Sequence, residues 1–223
     1  MLFFSMLLTA CKKKDNAIPA VDYSYFPQGI GHYVIYDVDS VVHDDFAKTT
    51  TTFRFQIKEV IESTFPDNSG RPVQRVEKYK RENASVPWRF QLAFTMYLGD
   101  NKGERFENNR RYISLTFPPE LNRPWSSPSY DGNDTWSCKY TSIDQPLTLG
   151  NNTMASTVTV TQIDEENLIK KEYSVEKYAK NIGLVYKEYI KDSSNVIPNP
   201  PVPLKDRISG GLEYKMTLNS YGQ

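Results

Sequence analysis

Side chains that could do chemistry are few in this chain and far apart along it. There are two cysteines, Cys11 and Cys138, and two histidines, His32 and His43. A thiol nucleophile needs a base beside it and access to substrate. Cys138 instead alternates with two aromatic residues, as a small buried hydrophobe on a strand face would. We therefore predict no catalytic cysteine, and two histidines are too few for a metal site built on a histidine cluster.

Carboxylate pairs are the other candidates for chemistry. Asp37 and Asp39 are two residues apart and so share one face of a strand. Such a pair could bind Ca²⁺ or divide acid and base roles as in glycosidases. The residues that alternate with them are apolar, which favours a solvated outer face. Asp131 and Asp134 offer further oxygens, but without the spacing of an EF-hand loop. The sequence predicts no metal, no cofactor and no enzyme.

Two aromatic residues are the best candidates for ligand recognition. Trp125 and Tyr130 lie within residues 117–136, a long segment rich in proline. Rigid rings on a stiffened loop offer contact area at low entropic cost. We predict that this loop binds a glycan, a peptide or an envelope protein. The alternative is that both rings fold back and plug one end of the domain.

The elements that must position these residues are strands. From Trp88 to Leu98, apolar and polar residues alternate over the whole stretch. The same alternation predicts about ten strands, at 34–42, 53–62, 72–81, 88–98, 110–117, 135–143, 154–163, 168–175, 182–190 and 212–219.

This pattern predicts an all-β fold. We expect a single antiparallel β domain of about nine or ten strands, as a sandwich, barrel or half-barrel with long proline-rich loops. Residues 164–182 fit either an amphipathic helix or a hairpin, and we favour the hairpin. The side chains of Phe55, Phe90, Leu92 and Phe94 are expected to be almost inaccessible.

Charge and length limit the partners. Among its 223 residues the chain has 27 Lys and Arg residues and 27 Asp and Glu residues. Its net charge is therefore zero and does not favour binding to nucleic acid. The length suits one domain with a substantial core.

The N-terminus predicts a membrane anchor. An apolar run from Leu2 to Leu8 is too short to span a bilayer and has the form of a signal-peptide core. The next residues complete Leu8-Thr9-Ala10-Cys11, which resembles the bacterial lipobox. That resemblance implies a lipoprotein signal peptide at 1–10, a lipidated Cys11 with a tether at 11–24, and a single β domain at 25–223. Two or three acyl chains on Cys11 would anchor the protein stably to a membrane.

Three stretches resemble a known family. They are Tyr25-Phe26-Pro27 followed by Gly31–Ser40, Glu107–Arg111 leading to Phe117-Pro118, and Glu176–Glu188. Together they are similar to uncharacterised lipobox-bearing outer-membrane lipoproteins of Bacteroidota. The resemblance implies an outer-membrane location, on the periplasmic or the surface side, and supplies no catalytic residues.

The function predicted from these features is a lipid-anchored, non-catalytic binding or assembly module of the cell envelope. One alternative is a periplasmic carrier of lipid or another hydrophobic ligand on a half-barrel, which predicts a large apolar cavity. The other is a carbohydrate-active enzyme, which requires two carboxylates facing each other across a cleft.

Overall fold

The fold is all-β. The computed structural model describes residues 20–223. The predicted signal peptide, Cys11 and most of the tether therefore lie outside the described residues. Within the described part of the chain, no helix has the length and apolar character needed to span a bilayer. The strands are β1 (Tyr33–Asp44), β2 (Thr49–Pro66), β3 (Pro72–Arg81), β4 (Arg89–Gly99), β5 (Lys102–Glu107), β6 (Arg110–Thr116), β7 (Pro124–Pro128), β8 (Thr135–Leu149), β9 (Asn152–Glu166), β10 (Lys170–Ala179), β11 (Gly183–Ser193) and β12 (Gly210–Gly222), with one short 3-10 turn at Leu204–Asp206.

All twelve strands form one antiparallel sheet, in the order β6-β5-β4-β3-β2-β1-β12-β11-β10-β9-β8-β7. The sheet curls until its two edges, β6 and β7, meet. Side chains rather than a backbone ladder join these edges. The Ile113 amide donates to Ser127 Oγ at 3.1 Å, and Trp125 Nε1 donates to the Ile113 carbonyl at 2.8 Å. The result is a nearly closed, barrel-like sheet.

One end of this barrel is closed by the segment that precedes β1. Tyr25 and Phe26 are buried there, and Val21 and Tyr23 pack against the same core. The Phe26 ring lies so close to Gly103 that a Cβ at that position would come within 2.6 Å of it. Contacts with the domain therefore begin a few residues before residue 25, where the sequence prediction places its start.

The sequence prediction of an all-β antiparallel domain is confirmed, and its strand number is too low. The hairpin expected within residues 164–182 is present as β9 and β10, and its turn is stabilised by Asn167 Oδ1, which accepts from the Ile169 and Lys170 amides. The two strands that the prediction missed are β5 and β7. In β5 the alternate positions hold Gly103, Arg105 and Glu107 rather than apolar residues.

Strand β7 was hidden by its composition. It begins and ends with proline, which cannot donate to a β-ladder and is confined to sheet edges. The segment 117–136, predicted as a long loop, therefore contains a short edge strand.

The expected burial of one apolar face was wrong in part. Phe94 is 3% exposed and inside the barrel, but Phe90 is 54% exposed, and Leu92 and Phe55 are half-buried. The start of β4 lies beyond the core. The register between β3 and β4 shifts between Phe90 and Leu92, so Phe90 pairs with Tyr79 and leaves the face that carries Phe94. Lys80 Nζ lies 3.9 Å from the centre of the Phe55 ring on β2 and covers that half-buried side chain.

Candidate functional site

The barrel encloses a polar cavity of about 280 Å³. Its walls carry charged, amide and tyrosine side chains from β2, β3, β5, β6 and β9–β12, and from the segment between β7 and β8. The lining residues on which the argument depends are Glu59, Lys78, Arg105, Glu107, Tyr130, Gln162, Glu176, Tyr178, Lys187 and Tyr189. Burying a charged side chain inside a β-barrel costs free energy unless the charge is paired. The ion pairs and hydrogen bonds of these residues therefore determine which ligand groups the cavity can bind.

Four side chains form a balanced ionic cluster on one wall, and we call them the quartet: Glu59, Lys78, Arg105 and Glu107. The Arg105 guanidinium binds Glu59 with two hydrogen bonds, at 2.6 and 3.2 Å, and reaches Glu107 Oε2 through Nε at 2.9 Å. Lys78 Nζ lies 2.5 Å from Glu107 Oε1 and 3.4 Å from Glu59 Oε1. Arg105 also lies 3.9 Å from the centre of the Phe94 ring. Two positive and two negative charges thus neutralise each other at close range.

The quartet keeps its carboxylates ionised. Burial by itself raises the pKa of a carboxyl group, but Arg105 and Lys78 together hold the pKa of Glu59 below its usual range and lower that of Glu107 to about 2. In return, and against the effect of burial, Glu59 and Glu107 hold the pKa of Arg105 well above its usual range.

A second polar group centres on Glu176. The Tyr130 hydroxyl lies 2.6 Å from Glu176 Oε1 and 2.9 Å from Gln162 Oε1. The Tyr178 hydroxyl donates to Glu176 Oε2 at 2.6 Å, and Lys187 Nζ lies 3.4 Å from Oε1. Burial lowers the pKa of Lys187, an effect that the Glu176 charge opposes. Lys187 Nζ is also 3.5 Å from the centre of the Tyr130 ring, so cation, ring and carboxylate form one unit.

The cavity adjoins the surface on one side and a small apolar void on the other. A wider hollow of about 660 Å³ shares Tyr130, Tyr189 and Leu212 with the cavity and is lined further out by Lys170 and Lys191. On the opposite side, a void of about 60 Å³ shares Glu59 and Arg105 with the cavity and ends at the residues that close the barrel. The polar groups therefore lie between an open mouth and a closed end.

The two aromatic residues predicted to bind a ligand occupy different places. Tyr130 lines both the cavity and its mouth. Trp125 lies in β7, with its ring 5.0 Å from the Tyr140 ring and its indole nitrogen bonded to Ile113. Trp125 thus contributes to the seam between β6 and β7 rather than to the cavity wall. Ligand binding by either residue stays a prediction.

The other residues considered from the sequence lie outside the cavity. Cys138 is fully buried, and burial raises the pKa of its thiol to about 12, as expected for a structural cysteine. Asp37 and Asp39 are on the exposed face of β1, where Asp37 accepts from Gln56 and Asp39 pairs with Arg54. Their pattern correctly indicated a solvated face.

The cavity charges were missed by sequence reasoning, although one signal was present. Glu59 stands between Ile57 and Ile61 on the inner face of β2, where the alternation calls for an apolar side chain. Glu176 likewise precedes buried Tyr178 on the same face of β10. A carboxylate inside an otherwise apolar register indicates a buried partner, but the sequence does not say which cation that is.

This arrangement is suited to binding. General acid catalysis needs a carboxyl group that holds a proton near neutral pH. In the quartet the carboxyl pKa values are shifted the other way, so Glu59 and Glu107 act as fixed hydrogen-bond acceptors. Arg105, Lys78 and the tyrosine hydroxyls supply donors next to them.

Comparisons with known proteins add distant similarities only. No protein-family model matches the chain, and no curated protein sequence does either. A solved structure from Bacteroides fragilis, assigned as an exported protein with a YmcC-like fold, is 11% identical, with a TM-score of 0.45 over 89% of this chain and 98% of that one. A solved structure from Parabacteroides distasonis, assigned as a lipoprotein, is 12% identical, with a TM-score of 0.46 over 89% and 98%. Both come from Bacteroidota, the phylum of the family that the sequence resembles, but values this low assign no function to this chain.

Proposed function

We propose that this protein is an outer-membrane lipoprotein anchored through Cys11, whose barrel-like domain binds a small polyhydroxylated ligand of sugar size without transforming it. The observation that carries the proposal is the cavity of about 280 Å³, in which paired charges and tyrosine rings converge below an open mouth. Small-molecule sites typically combine aromatic walls with a few convergent polar groups.

The chemistry of the lining matches hydroxyl groups. Each hydroxyl both donates and accepts a hydrogen bond, and the cavity offers carboxylate acceptors beside guanidinium, ammonium and phenol donors. Tyr130 and Tyr189 line the mouth and pack against each other there, so a sugar that enters contacts aromatic side chains. A ligand of high net charge is disfavoured, because the quartet is neutral as a whole.

The two alternative functions receive less support. A lipid carrier predicts a large apolar cavity. Among the described residues, the apolar void at the closed end has a volume of only about 60 Å³, and the wide hollow of about 660 Å³ has the charged residues Asp131, Lys170 and Lys191 in its lining. A glycosidase needs a protonated carboxyl group opposite an ionised one. The pKa of Glu107, lowered to about 2, gives this side chain no proton to donate near neutral pH.

The test is calorimetric titration of the full chain in detergent with neutral, acidic and amino monosaccharides. We expect saturable binding of at least one sugar. The variant Tyr130→Phe keeps the ring and removes a hydroxyl from the cavity wall, so affinity should fall by about five- to tenfold, the effect of one hydrogen bond. Tyr221→Phe is the matched control, because Tyr221 is 47% exposed and lies on the last strand away from the cavity lining.

Two results would contradict the proposal. One is the absence of binding to every sugar, together with a stoichiometric lipid found by mass spectrometry of the purified protein, which would favour a carrier. The other is release of a hydrolysed product from an oligosaccharide, with loss of that activity in Glu176→Gln, which would make the protein an enzyme.

A further inference from the structure

A second polar cluster lies at the edge of the mouth. One of its residues lines the wide hollow there, but none of them lines the cavity of about 280 Å³. The cluster consists of His43 on β1, Asp192 on β11 and Glu213 on β12. Each offers one ligand atom, and these three atoms lie within 4.8 Å of one another. In β12 Leu212 and Tyr214 line the cavity, so alternation places Glu213 on the opposite, outer face.

Strand register brings the three residues together. Gly211 pairs with His43 on one side and with Asp192 on the other, and Glu213 follows two residues later on the same face. A Cβ at Gly211 would come within 2.3 Å of Asp192 Oδ1, so the carboxylate lies over this glycine, in the space that any other side chain would fill. Because Gly211 has no side chain, the side chains of the three cluster residues can come together over it.

Asp192 is the residue that the fold leaves without a partner. It is 4% exposed, and its Oδ1 has no hydrogen-bond partner among residues 20–223. Lys171, opposite Asp192 on β10, forms an ion pair with Glu166. A buried carboxylate oxygen without donor or cation is costly.

His43 is oriented as metal-ligating histidines are. Its Nδ1 lies 3.0 Å from Thr50 Oγ1, and its Nε2 lies 3.2 Å from Glu213 Oε1. The imidazole has two neutral tautomers. With Nε2–H it donates to Glu213 and accepts from the Thr50 hydroxyl, and with Nδ1–H it donates to Thr50 and turns the Nε2 lone pair toward Glu213, where a cation can bind both. A separation of 3.2 Å is that of two ligands sharing one zinc ion at about 2.0–2.2 Å from each.

We propose that His43, Asp192 and Glu213 bind a divalent transition-metal ion of the zinc type. One imidazole and two carboxylates form a mixed nitrogen and oxygen set, which suits Zn²⁺, whereas Ca²⁺ and Mg²⁺ prefer oxygen alone. The ion provides Asp192 with the partner that the fold does not supply, and a modest rotation of that side chain closes the ligand triangle. Three protein ligands leave a fourth position for water.

The site also ties two segments together. Asn195, just after β11, donates from Nδ2 to Asp45 Oδ2 at 2.7 Å, which links that segment to the β1–β2 hairpin beside His43. An ion held by β1, β11 and β12 stabilises the same region from three strands. Binding to the folded state alone raises the melting temperature with metal concentration.

The test is calorimetric titration of the chelator-stripped full chain with Zn²⁺ at pH 7.5, with thermal melting at each metal concentration. We expect one zinc ion per chain and a rise in melting temperature. His43→Gln and Asp192→Asn should each weaken zinc binding by more than about tenfold and abolish the thermal shift. His32→Gln is the matched control, because it removes the other histidine, whose Nε2 lies 3.0 Å from the Ile182 carbonyl.

His43 is at the end of β1, so its variant is expected to fold even if Asp192→Asn does not, and melting of the metal-free proteins checks this. The proposal is overturned if wild type takes up no zinc, or if His43→Gln binds zinc as wild type does. It is also overturned if Ca²⁺ at equal concentration displaces the zinc. The hydrogen bond between His43 and Glu213 would then account for the cluster.

Discussion

Inside the barrel, individual charges can be understood only through their partners. A single buried carboxylate or guanidinium costs several kcal/mol to desolvate. In the quartet, Arg105 contacts both Glu59 and Glu107, and Lys78 contacts both as well. Removal of any one of the four leaves a net charge in the cavity wall. The same property makes the wall a fixed array of donors and acceptors for a polar ligand.

The quartet predicts a specific acid sensitivity. Burial raises the pKa of Glu107, but Arg105 and Lys78 outweigh it and lower the pKa from 4.5 to about 2. Because the folded-state pKa is below the unfolded one, ionised Glu107 stabilises the fold above about pH 4.5, and this stabilisation is lost as the pH falls toward 2. We expect the melting temperature to fall across this window. Glu107→Gln should have a lower melting temperature than wild type at pH 7, and its melting temperature should change less with pH.

The control is Glu165→Gln, since Glu165 is an exposed carboxylate in the β9–β10 hairpin. It should keep the wild-type pH profile. Equal acid slopes in wild type and Glu107→Gln would show that the ion pairs contribute nothing to the folded state.

Residue-level prediction from the sequence succeeded where the chemistry is local. Alternation within one strand is enough to predict that Cys138 is a buried hydrophobic residue. It is also enough to predict that Asp37 and Asp39 lie on a solvated face. The cavity and the proposed zinc site cannot be predicted in this way, because their residues come from strands that are far apart in the sequence. His43 and Glu213 are 170 residues apart and meet only through the pairing of β1 with β12.

At the level of elements, burial varies along each strand. Strand β4 shows the clearest alternation in the sequence, yet only the part near Phe94 reaches the core. Phe94→Ala is expected to lower the free energy of unfolding by about 3–5 kcal/mol. Phe90→Ala, on the same strand but turned off that face by the register shift and more than half exposed, should lower it by less than about 1 kcal/mol.

Urea denaturation of the two variants checks this expectation, because both delete the same side chain from one strand. A similar loss in both would mean that the outer part of β4 contributes to the core after all. A loss in neither would remove the assignment of Phe94 to the interior.

Strand prediction failed for β5 and β7 for different physical reasons. An alternating pattern marks a strand when its inner side chains are apolar, but those of β5 face a polar cavity and a close aromatic ring. The pattern cannot show that the interior is itself polar. The prolines of β7 are typical of loops in a sequence. An edge strand tolerates them, however, because β7 forms a backbone ladder on one side only, with β8, and is joined to β6 by side chains.

For the whole molecule, the proposed membrane anchor at Cys11 can be tested directly. We expect Cys11→Ala to shift the protein from the detergent phase to the aqueous phase, or to leave it uncleaved, because the proposed acyl chains would be attached to this cysteine. Cys138→Ala removes the other cysteine and should leave partitioning unchanged. Fractionation followed by mass spectrometry of the N-terminal peptide measures both, and membrane retention of Cys11→Ala would remove the lipoprotein assignment.

The path of the chain through the sheet has a consequence for folding. Strands β1–β6 run outward from the middle of the sheet to one edge, and β7–β12 return from the other edge to the middle. Among the described strands, the only ladder that joins these two halves is the one between β1 and β12, in which Tyr33 pairs with Gly222. Every other neighbour in the sheet is also a neighbour in sequence.

Most contacts therefore join strands that are close in sequence, so contact order is low. The exception is the β1–β12 ladder, because forming it closes a loop of almost the whole domain and costs the corresponding entropy. Each half can form hairpin by hairpin as it emerges, but neither can pair with the other until the last 13-residue strand is available. Until then, the edges of β1 and β11 stay open to other chains, as unpaired strand edges do. The C-terminal strand thus sets the moment at which an aggregation-prone pair of sheets becomes one protected barrel.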